Sequence, residues 1–372
     1  MEVLILSCGM GGGHNSAGQA VAQELQRRGH SVTFLNAYDL KDRKTSTRIN
    51  NAYIRIAQLV PGLFGAIYFL GEAYRRLPIP SPVYWANGKM SGYLQRLLDE
   101  HHFDAIVATH TFPAQTLTAM KRKGTPLPKT YFIATDYTCT PFEEESDCDY
   151  TVIPSPELTG EFCRYGFAKE RLLPFGIPVR QEFAQPVSRE DARRKLAWNR
   201  EDFVLLLSGG SIGAGQIARA VAVLRPFLAR DSRRQLIVIC GNNRKLYKKL
   251  CKQCAGCGQI TVMEKTEQMA DFMHGCDVFL SKPGGLSSSE AAAAGVPLIH
   301  ISPIPGCESH NFRFFSGHGM SIAVRNLKRE LLPAVEALMD PAVTAKMRQA
   351  QHTVLNRAST AQLCSFLEEN AQ

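Results

Sequence analysis

Apolar residues occur along this chain in short continuous runs, separated by longer stretches with the alternation of amphipathic helices. Continuous apolar runs are typical of parallel strands that are covered on both faces. The pattern therefore predicts an α/β protein built from two Rossmann-like, doubly wound domains that face a cleft. The predicted strands are Val3–Leu6, Val32–Asn36, Ala105–Thr109, Tyr131–Ala134, Thr151–Pro154, the run that begins at Phe203, Leu236–Cys240, Ile260–Met263, Asp277–Ser281 and Pro297–Ile301.

A linker is expected between the two domains, because Phe175–Val179 and the polar stretch up to Arg189 interrupt the strand and helix pattern. A chain of 372 residues is long enough for two domains of ordinary size. We therefore expect an N-terminal domain over 1–174 and a C-terminal domain over 175–345. The last helical stretch, 346–372, is expected to return to the N-terminal domain.

The composition is that of a globular protein, with 45% hydrophobic and 21% charged residues. Eleven cysteines are scattered without the spacing of a disulfide framework. The start, Met-Glu-Val-Leu-Ile, has neither the basic region nor the cleavage site of a signal peptide. These features favour a cytoplasmic protein.

The positive charge of the chain is concentrated between Arg43 and Arg96, where eight basic residues and one acid give a net charge of +7. This segment contains an apolar run, Ile56–Leu70, which is shorter than the ~20 residues of a membrane span and is broken at Pro61-Gly62. It predicts an element that lies on the inner face of the cell membrane, peripherally, and contacts anionic lipid. The residues expected at this surface are Arg55, Leu63, Phe64, Phe69, Arg75 and Arg76.

The basic segment has two other interpretations. A core helix followed by a solvated basic loop would have the same composition. Nucleic acid is a less suitable partner, because the basic residues flank an apolar run and do not form a polar groove.

A glycine-rich loop, Cys8–Ala17, follows the first predicted strand and opens a helix. Its glycines allow a ligand to approach the backbone and leave helix amides available to an anion. It is neither a Walker A loop nor a clean dinucleotide fingerprint, since His14 stands where the third glycine belongs. A histidine here can take a proton from a substrate. The alternative is a tight turn with a histidine at the helix start.

Further glycine turns follow strands in the second half, at Ser208–Gly213, at Lys282–Gly285 and at Pro305–Asn311. Turns of this kind lie at the carboxyl ends of parallel strands, where open α/β sheets bind ligands. The first two can present backbone amides to a phosphate. Glu290 can accept both hydroxyls of a ribose, or it can form a capping box with Ser287.

The order and spacing of these motifs together resemble those of a known family, the glycerolipid glycosyltransferases. This is the group of monogalactosyldiacylglycerol synthase and processive diacylglycerol glucosyltransferase, and it is related to the peptidoglycan N-acetylglucosaminyltransferase. The matching motifs are Gly11–His14 with Ser16-Ala17, Thr135-Asp136, Gly176–Val179, Ser208–Gly213, Cys240–Asn243, Lys282–Gly285, Glu290-Ala291 to Gly295–Pro297, and Pro305–Glu308 with Asn311.

This resemblance implies a GT-B fold and an inverting transfer of a hexose from a UDP-sugar to a lipid acceptor, most simply diacylglycerol, without a metal or other cofactor. It places His14 or Asp136 as the base, and the sequence does not choose between them. The implied acceptor-binding residues are Gly12, Gly13 and Ser16. The implied donor-binding residues are Gly210, Ser211, Gly285, Ser287 and Glu290 for UDP, and Glu308 and Asn311 for the sugar.

The chain departs from the family pattern at two positions. Cys307 stands where a glutamine is usual, which leaves the donor sugar open. Thr140-Pro141 replaces a usual His-Pro, which leaves the acceptor open. The alternatives are another lipid-linked acceptor, a UDP-N-acetylglucosamine epimerase-like enzyme, and a UDP-sugar binding protein without catalysis.

Two possible metal sites carry less weight. Cys251, Cys254 and Cys257 have the spacing of part of an iron–sulfur motif, but the fourth cysteine with its proline is missing. Asp147 and Asp149 resemble the metal-binding Asp-x-Asp of a different glycosyltransferase fold. We therefore expect no metal, and we expect His300 to be an ordinary surface or core histidine.

Overall fold

The computed structural model describes residues 1–9, 12–42, 44, 46–48, 50–51, 54–55 and 61–370. The chain divides into two compact units. The first contains 1–181, 305–307 and 357–372, and the second contains 182–304 and 308–356. Each unit has a six-stranded sheet in which the paired strands are parallel, which confirms the predicted α/β class.

The sheet of the first unit has the strand order β2-β1-β3-β4-β5-β6. Val3 of β1 pairs with Val32 of β2 on one side and with Ala105 of β3 on the other. The strands are β1 (Glu2–Ser7), β2 (Ser31–Asn36), β3 (Ala105–Ala108), β4 (Lys129–Ile133), β5 (Tyr150–Val152) and β6 (Leu172–Leu173). The helices are α1 (Gly13–Arg27), α2 (Pro61–Tyr74), α3 (Pro82–Gly88), α4 (Ser91–Glu100), α5 (Thr111–Arg122) and α6 (Thr159–Arg164).

The sheet of the second unit has the order β12-β11-β10-β7-β8-β9. Its strands are β7 (Phe203–Ser208), β8 (Arg234–Ile239), β9 (Ile260–Met263), β10 (Val278–Ser281), β11 (Leu298–Ile301) and β12 (Ile322–Val324). The helices that follow α6 in the chain are α7 (Gln181–Ala184), α8 (Arg189–Lys195), α9 (Ile217–Leu228), α10 (Arg244–Gln253), α11 (Met269–Gly275), α12 (Gly285–Ala294), α13 (Cys307–Gly317), α14 (Leu327–Ala337), α15 (Pro341–Val354) and α16 (Ser359–Asn370). Short 3₁₀ helices cover Ala37–Leu40, Glu143–Glu145, Pro156–Leu158 and Lys169–Arg171.

The last helix, α16, belongs to the first unit and completes its core. Leu363 and Leu367 are fully buried and pack in the same cluster as Val21 of α1. At the edge of this contact, Arg28 Nη1 lies 2.7 Å from Glu368 Oε2. The apolar side chains supply most of the stabilisation, since burying one is worth about 1.5–3 kcal/mol.

Helix α1 lies unusually close to the sheet, and a glycine makes this possible. A Cβ atom at Gly18 would stand 2.7 Å from Cε2 of Phe34 and 3.2 Å from Cγ2 of Ile5. Both distances are shorter than ordinary contacts between carbon atoms. This close packing fixes the start of α1 relative to the end of β1, and it thereby fixes His14.

No helix in the described part of the chain is long and apolar enough to cross a membrane. Several positions of the sequence analysis lie outside the described residues. They are Gly11 of the glycine loop, Arg43, and 56–60 of the apolar run, together with the side chain of Phe64.

Candidate active site

The predicted acceptor-side residues of the first unit follow three neighbouring strands. His14 lies in the first turn of α1, directly after β1, and Thr109 comes immediately after β3. Thr135 and Asp136 follow β4. Because β1, β3 and β4 are adjacent and parallel, their carboxyl ends bring these residues to one edge of the sheet.

His14 is held by hydrogen bonds at one ring nitrogen. Its Nδ1 lies 2.9 Å from the carbonyl oxygen of Thr109 and 3.0 Å from Oγ1 of Thr135. A carbonyl oxygen only accepts hydrogen bonds, so Nδ1 carries the proton and donates it. The neutral ring then has its lone pair on Nε2, which is the form that a general base requires.

The surroundings of His14 keep the ring neutral. Burial lowers its pKa below the usual value, and this outweighs the charge of Asp136 and the hydrogen bond to Thr109, both of which raise it. The ring of His110 packs edge-on against His14 with a centroid distance of 4.4 Å. Burial holds the pKa of His110 well below its usual value, so this neighbour is uncharged at neutral pH.

The predicted acceptor-binding residues Gly12, Gly13 and Ser16 form the beginning of α1. Gly12 is the N-cap residue with φ +79°, a left-handed conformation that favours glycine. The amide of Ser16 donates to the carbonyl oxygen of Gly12 at 3.0 Å, which closes the first turn. Among the described residues no side chain caps this helix, so its first amides are available to a polar ligand.

In the second unit, the turn after β7 is built on close backbone contacts. Gly210 has φ +70° and Gly213 has φ +59°. A Cβ atom at Gly213 would lie 2.1 Å from the carbonyl oxygen of Cys240, and the amide of Asn242 donates to the carbonyl oxygen of Ser211 at 2.8 Å. The turn that carries Gly210 and Ser211 is therefore packed directly against the loop after β8.

Helix α12 begins earlier than a capping box at Ser287 and Glu290 requires. Its N-cap residue is Gly284, without a side-chain cap, and Gly285 is its first residue. Ser287 is thus the third residue inside the helix, so the capping-box interpretation of Glu290 is wrong. Glu290 is only 7% exposed, and it lies within α12 and not at its start.

Lys282 is a residue of this site that the sequence analysis quoted without assigning it a role. Its ammonium group donates to Oε1 of Glu308, and the other carboxylate oxygen accepts from the amide of Ile304 at 2.9 Å. Cε of Lys282 also lies 3.4 Å from the position of a Cβ at Gly210. This lysine therefore places a positive charge beside the turn after β7. The sequence feature that could have indicated its role is its position directly after a buried strand.

The two predicted sugar-binding residues are deeply buried. Glu308 is 6% exposed, and Asn311 is fully buried. The side-chain amide of Asn311 donates to the carbonyl oxygen of Pro283 at 3.0 Å. This hydrogen bond connects α13 to the turn that precedes α12, so Asn311 fixes the geometry of that turn.

His300 lies in the core of the second unit. Its Nε2 is 2.9 Å from Oγ of Ser288, and its Nδ1 is 3.1 Å from Oγ of Ser321. Burial lowers its pKa to about 3, so the ring is neutral at any ordinary pH. It orients the hydroxyl of Ser288 in the first turns of α12.

Helix α2 presents an apolar surface to solvent, which we call the α2 apolar face. It comprises Leu63, Ile67, Phe69 and Leu70, of which Phe69 is 64% and Leu70 is 69% exposed. Exposed apolar patches of this kind mark interaction surfaces in soluble proteins. Further large apolar side chains are exposed after the helix, at Leu77, Ile79 and Trp85.

The expected membrane-facing position of Arg75 is wrong. Its side chain is only 3% exposed, and its guanidinium group lies 2.7 Å from Glu144 Oε2 and 3.2 Å from Glu72 Oε1. It also lies 3.5 Å from the ring centroid of Tyr165. Two carboxylates and an aromatic ring thus hold this charge inside the unit, whereas Arg55 and Arg76 are exposed.

The two carboxylates of the possible Asp-x-Asp motif have other partners. Asp147 Oδ1 lies 2.9 Å from Arg171, and Asp149 pairs with Lys121 at 3.1 Å. Cys254 is buried at the end of α10. Across the described residues, no group of three or more His, Cys, Asp or Glu side chains could hold a metal ion.

Comparisons with known proteins find similarity in each half of the chain. The profile of monogalactosyldiacylglycerol (MGDG) synthase matches residues 14–179, and that of the glycosyltransferase family 28 C-terminal domain matches 204–362. Among similar curated proteins, a processive diacylglycerol beta-glucosyltransferase of Bacillus subtilis is 26% identical over 341 residues. That alignment covers 91% of this chain and 87% of the relative.

Solved structures with the same fold include MurG of Acinetobacter baumannii, with a TM-score of 0.61 and 16% identity over 99% of both chains. The UDP-GlcNAc 2-epimerase of Neisseria meningitidis, solved with UDP-GlcNAc, has a TM-score of 0.65 and 12% identity over 100% of both chains. These likenesses show a GT-B type fold. The two family models and the similar curated proteins together show that the chain is a glycosyltransferase, with a region like monogalactosyldiacylglycerol (MGDG) synthase over 14–179 and a glycosyltransferase family 28 C-terminal domain over 204–362.

Proposed function

We propose that this glycosyltransferase moves a hexose from a UDP-sugar to diacylglycerol at an anionic membrane surface, with inversion at the anomeric carbon. The observation that carries the proposal is the state of His14. Its Nδ1 proton is committed to the carbonyl oxygen of Thr109, and burial keeps the ring neutral. A base in this form is available to an alcohol at physiological pH.

The donor half of the proposal rests on the turns of the second unit. A diphosphate leaving group needs positive electrostatic potential, which helix N-termini, backbone amides and cations supply. The turn at Gly210-Ser211, the start of α12 at Gly285, and Lys282 are such groups. A ribose would be bound by Glu290, with Ser287 near the phosphates. The UDP-GlcNAc carried by the epimerase of the same fold supports this class of donor.

The proposed chemistry is a single displacement. Nε2 of His14 takes the proton of the acceptor hydroxyl as its oxygen forms a bond to the anomeric carbon. The bond from that carbon to the diphosphate breaks, and UDP leaves with the electron pair. Asp136 raises the pKa of His14 and thereby stabilises the imidazolium that forms. Attack on the face opposite UDP inverts the configuration, and Asp136 is the alternative base.

The acceptor half rests on the α2 apolar face and on the names of the relatives, which act on diacylglycerol. Diacylglycerol stays in the bilayer, so the enzyme has to reach a membrane surface. Exposed Phe69 and Leu70 can enter the acyl boundary, at about 25 cal/mol per Å² of apolar surface buried. Exposed Arg55 and Arg76 can bind anionic headgroups of the inner face of the cell membrane.

The assay that tests the proposal offers a panel of UDP-sugars with diacylglycerol in vesicles and identifies the products by mass and by anomeric proton coupling. We expect UDP and an inverted glycosyl diacylglycerol. We expect the same rate with EDTA, since amides and Lys282 take the place of a metal. An isomerised UDP-sugar without lipid product would instead indicate an epimerase. Activity that EDTA abolishes and manganese restores would contradict the metal-independent mechanism.

Co-sedimentation with anionic vesicles tests the membrane contact directly. The double variant Phe69→Ser, Leu70→Ser should bind anionic vesicles more weakly than the wild type. The matched control is Met339→Ser, Val343→Ser, which changes two exposed apolar residues of the second unit, 41% and 37% exposed. Equal binding by the wild type and the α2 variant would contradict the docking role of the α2 apolar face.

A further inference from the structure

One side of α2, which we call its inner face, comprises Gly65, Tyr68 and Gly71 and packs on two loops of the first unit. A Cβ atom at Gly65 would stand 2.7 Å from Cβ of Pro305. A Cβ atom at Gly71 would stand 3.0 Å from Cβ of Pro141. Contacts this short leave no room for a larger side chain, so α2 is fixed against the loop after β11 and the loop after β4.

Between these two glycines, Tyr68 is the large side chain of the inner face. Its ring lies on Gly306, where a Cβ atom would be 2.8 Å from Cγ and 2.9 Å from Cδ2 of the ring. Gly306 has φ +116°, which a residue with a side chain rarely adopts. The loop therefore needs glycine at 306 for two reasons, namely its backbone conformation and the Tyr68 ring that packs against it.

The hydroxyl of Tyr68 is buried and has no hydrogen-bond partner among the described residues. Native structures rarely leave a buried hydroxyl in this state, and each such group calls for an explanation. The ring packs on Gly306, and the hydroxyl lies on the ring axis, so a flip of the ring does not bring the hydroxyl to water. A ligand that binds here is one explanation, because it would supply the missing acceptor.

Electrostatic interactions connect this hydroxyl with groups of the proposed acceptor side and of the loop that precedes Glu308. Burial raises the pKa of Tyr68, and Glu72, Cys307, Asp136 and Glu143 raise it further, in that order. The phenol is therefore protonated and is a hydrogen-bond donor at any ordinary pH. A substrate would approach the hydroxyl from the side of Asp136 and Cys307, which are both partly exposed.

Glu143 has an unusual environment of its own. Burial raises its pKa to about 8, against the opposing effect of hydrogen bonds from Thr140. The amide of Thr140 donates to Glu143 Oε2 at 3.0 Å. The preceding residue, Phe142, has φ +74°, a strained conformation for a residue with a side chain. Strain of this kind is concentrated at functional sites, which agrees with a ligand in this region.

We propose that the Tyr68 hydroxyl is a substrate-binding group, which donates a hydrogen bond to an alcohol oxygen beside Asp136. That oxygen belongs either to the transferred sugar or to the acceptor, and both substrates carry such groups. The inference rests on the proposed function, because it takes the substrates from there. It adds a residue of α2 to the site. The packing of Tyr68 on Gly306 then serves to hold the phenol hydroxyl, which is the hydrogen-bond donor, in place.

The test is Tyr68→Phe, which removes the hydroxyl and keeps the ring on Gly306. We expect kcat/KM to fall about tenfold, the size of one ordinary hydrogen bond. The melting temperature of the enzyme without substrate should stay the same or rise, because the variant no longer buries a hydroxyl that has no hydrogen-bond partner. If the hydroxyl had only a structural role, the variant would have a lower melting temperature and an unchanged kcat/KM. Tyr93→Phe, another half-buried tyrosine of the first unit, is the matched control and should keep full activity.

Direct binding measurements separate the two sources of the alcohol and do not depend on turnover. UDP and UDP-glucose are titrated by calorimetry, and vesicles are compared with and without diacylglycerol. If the sugar is the partner, Tyr68→Phe weakens UDP-glucose and leaves UDP unchanged. If the acceptor is the partner, the preference for diacylglycerol vesicles decreases. Unchanged binding in both titrations with unchanged kcat/KM would overturn the inference. A wild type that binds but transfers nothing would contradict only the proposed function.

Discussion

The Nδ1 atom of His14 and the carbonyl oxygen of Thr109, 95 positions apart in the chain, lie 2.9 Å from each other. This contact joins the start of α1 to the end of β3 and fixes which nitrogen of the ring carries the proton. It gives His14 a defined tautomer before any substrate binds. Preorganisation of this kind is a usual property of catalytic bases.

His14→Ala is expected to lower kcat by about 10²–10⁴-fold, the usual contribution of a general base. UDP affinity should stay within twofold, because the residues proposed for UDP lie in the second unit. The control is His101→Ala, an exposed histidine of the first unit. If turnover remains within a few-fold of the wild type, Asp136 is the base instead.

The pH profile of kcat/KM gives a separate test of the same residue. A base acts only when it is unprotonated, so activity falls as the pH drops through its pKa. Burial lowers the pKa of His14, so this decrease should lie below the ordinary histidine value of ~6.5. A decrease centred above pH 6.5 would contradict the assignment.

Glu290→Ala is expected to weaken UDP binding about 10- to 150-fold. The expectation comes from the loss of hydrogen bonds to a charged group, about 1.5–3 kcal/mol in all. Calorimetric titration with UDP measures this directly. The control is Glu330→Ala, a glutamate of the same unit whose Oε2 accepts from the amides of Arg325 and Asn326 at 2.7 and 3.1 Å. That variant should lower the melting temperature and keep UDP affinity, whereas the same pattern in Glu290→Ala would refute a ribose contact.

Lys282→Met is expected to destabilise the second unit by about 3–5 kcal/mol, because it leaves the buried carboxylate of Glu308 without its cation. Adding Glu308→Gln should restore most of that stability in urea unfolding. UDP affinity should stay low in the double variant, since the positive charge beside Gly210 is still missing. Recovery of UDP binding together with stability would show that Lys282 serves only to neutralise Glu308.

Two neighbouring arginines of the basic segment should behave differently. Arg75→Ala should lower the melting temperature, because it removes the partner of Glu144 and the contact with Tyr165. Arg76→Ala should leave stability unchanged and weaken binding to anionic vesicles by about 1 kcal/mol, or roughly fivefold. Weaker vesicle binding by Arg75→Ala at unchanged stability would mean that its side chain is accessible in solution.

Most of the fold was predictable because parallel strands buried on both faces leave a strong signal in the sequence. The runs at Val3 and Phe203 illustrate this, since both became strands close to their expected bounds. Two edge strands were not predicted. Leu172–Leu173 has two residues and Ile322–Val324 has three, so their apolar runs are too short to predict a strand.

The site was predictable only where the sequence itself carries the information. A glycine turn after a strand is visible in the sequence, but the partner of His14 is not, because Thr109 is brought to it by the order of the strands. The positive charge of Arg75 was counted correctly in the basic segment, but its side chain was wrongly expected at the membrane surface. Composition does not show which cations form ion pairs inside the protein. The helix start before Ser287 was placed too late, because Gly284 caps α12 without a side-chain signal.

The place of α16 in the first unit has a consequence for the synthesis of the protein. Leu363 and Leu367 complete the core that begins with β1. All of the second unit is translated after β1 and before these two residues. The first unit therefore emerges from the ribosome without α16, and its core cannot be completed until the second unit has been translated. A nascent chain arrested before residue 357 should expose apolar surface around Val21 and should be a substrate for chaperones, although every predicted catalytic and ligand-binding residue has already been made.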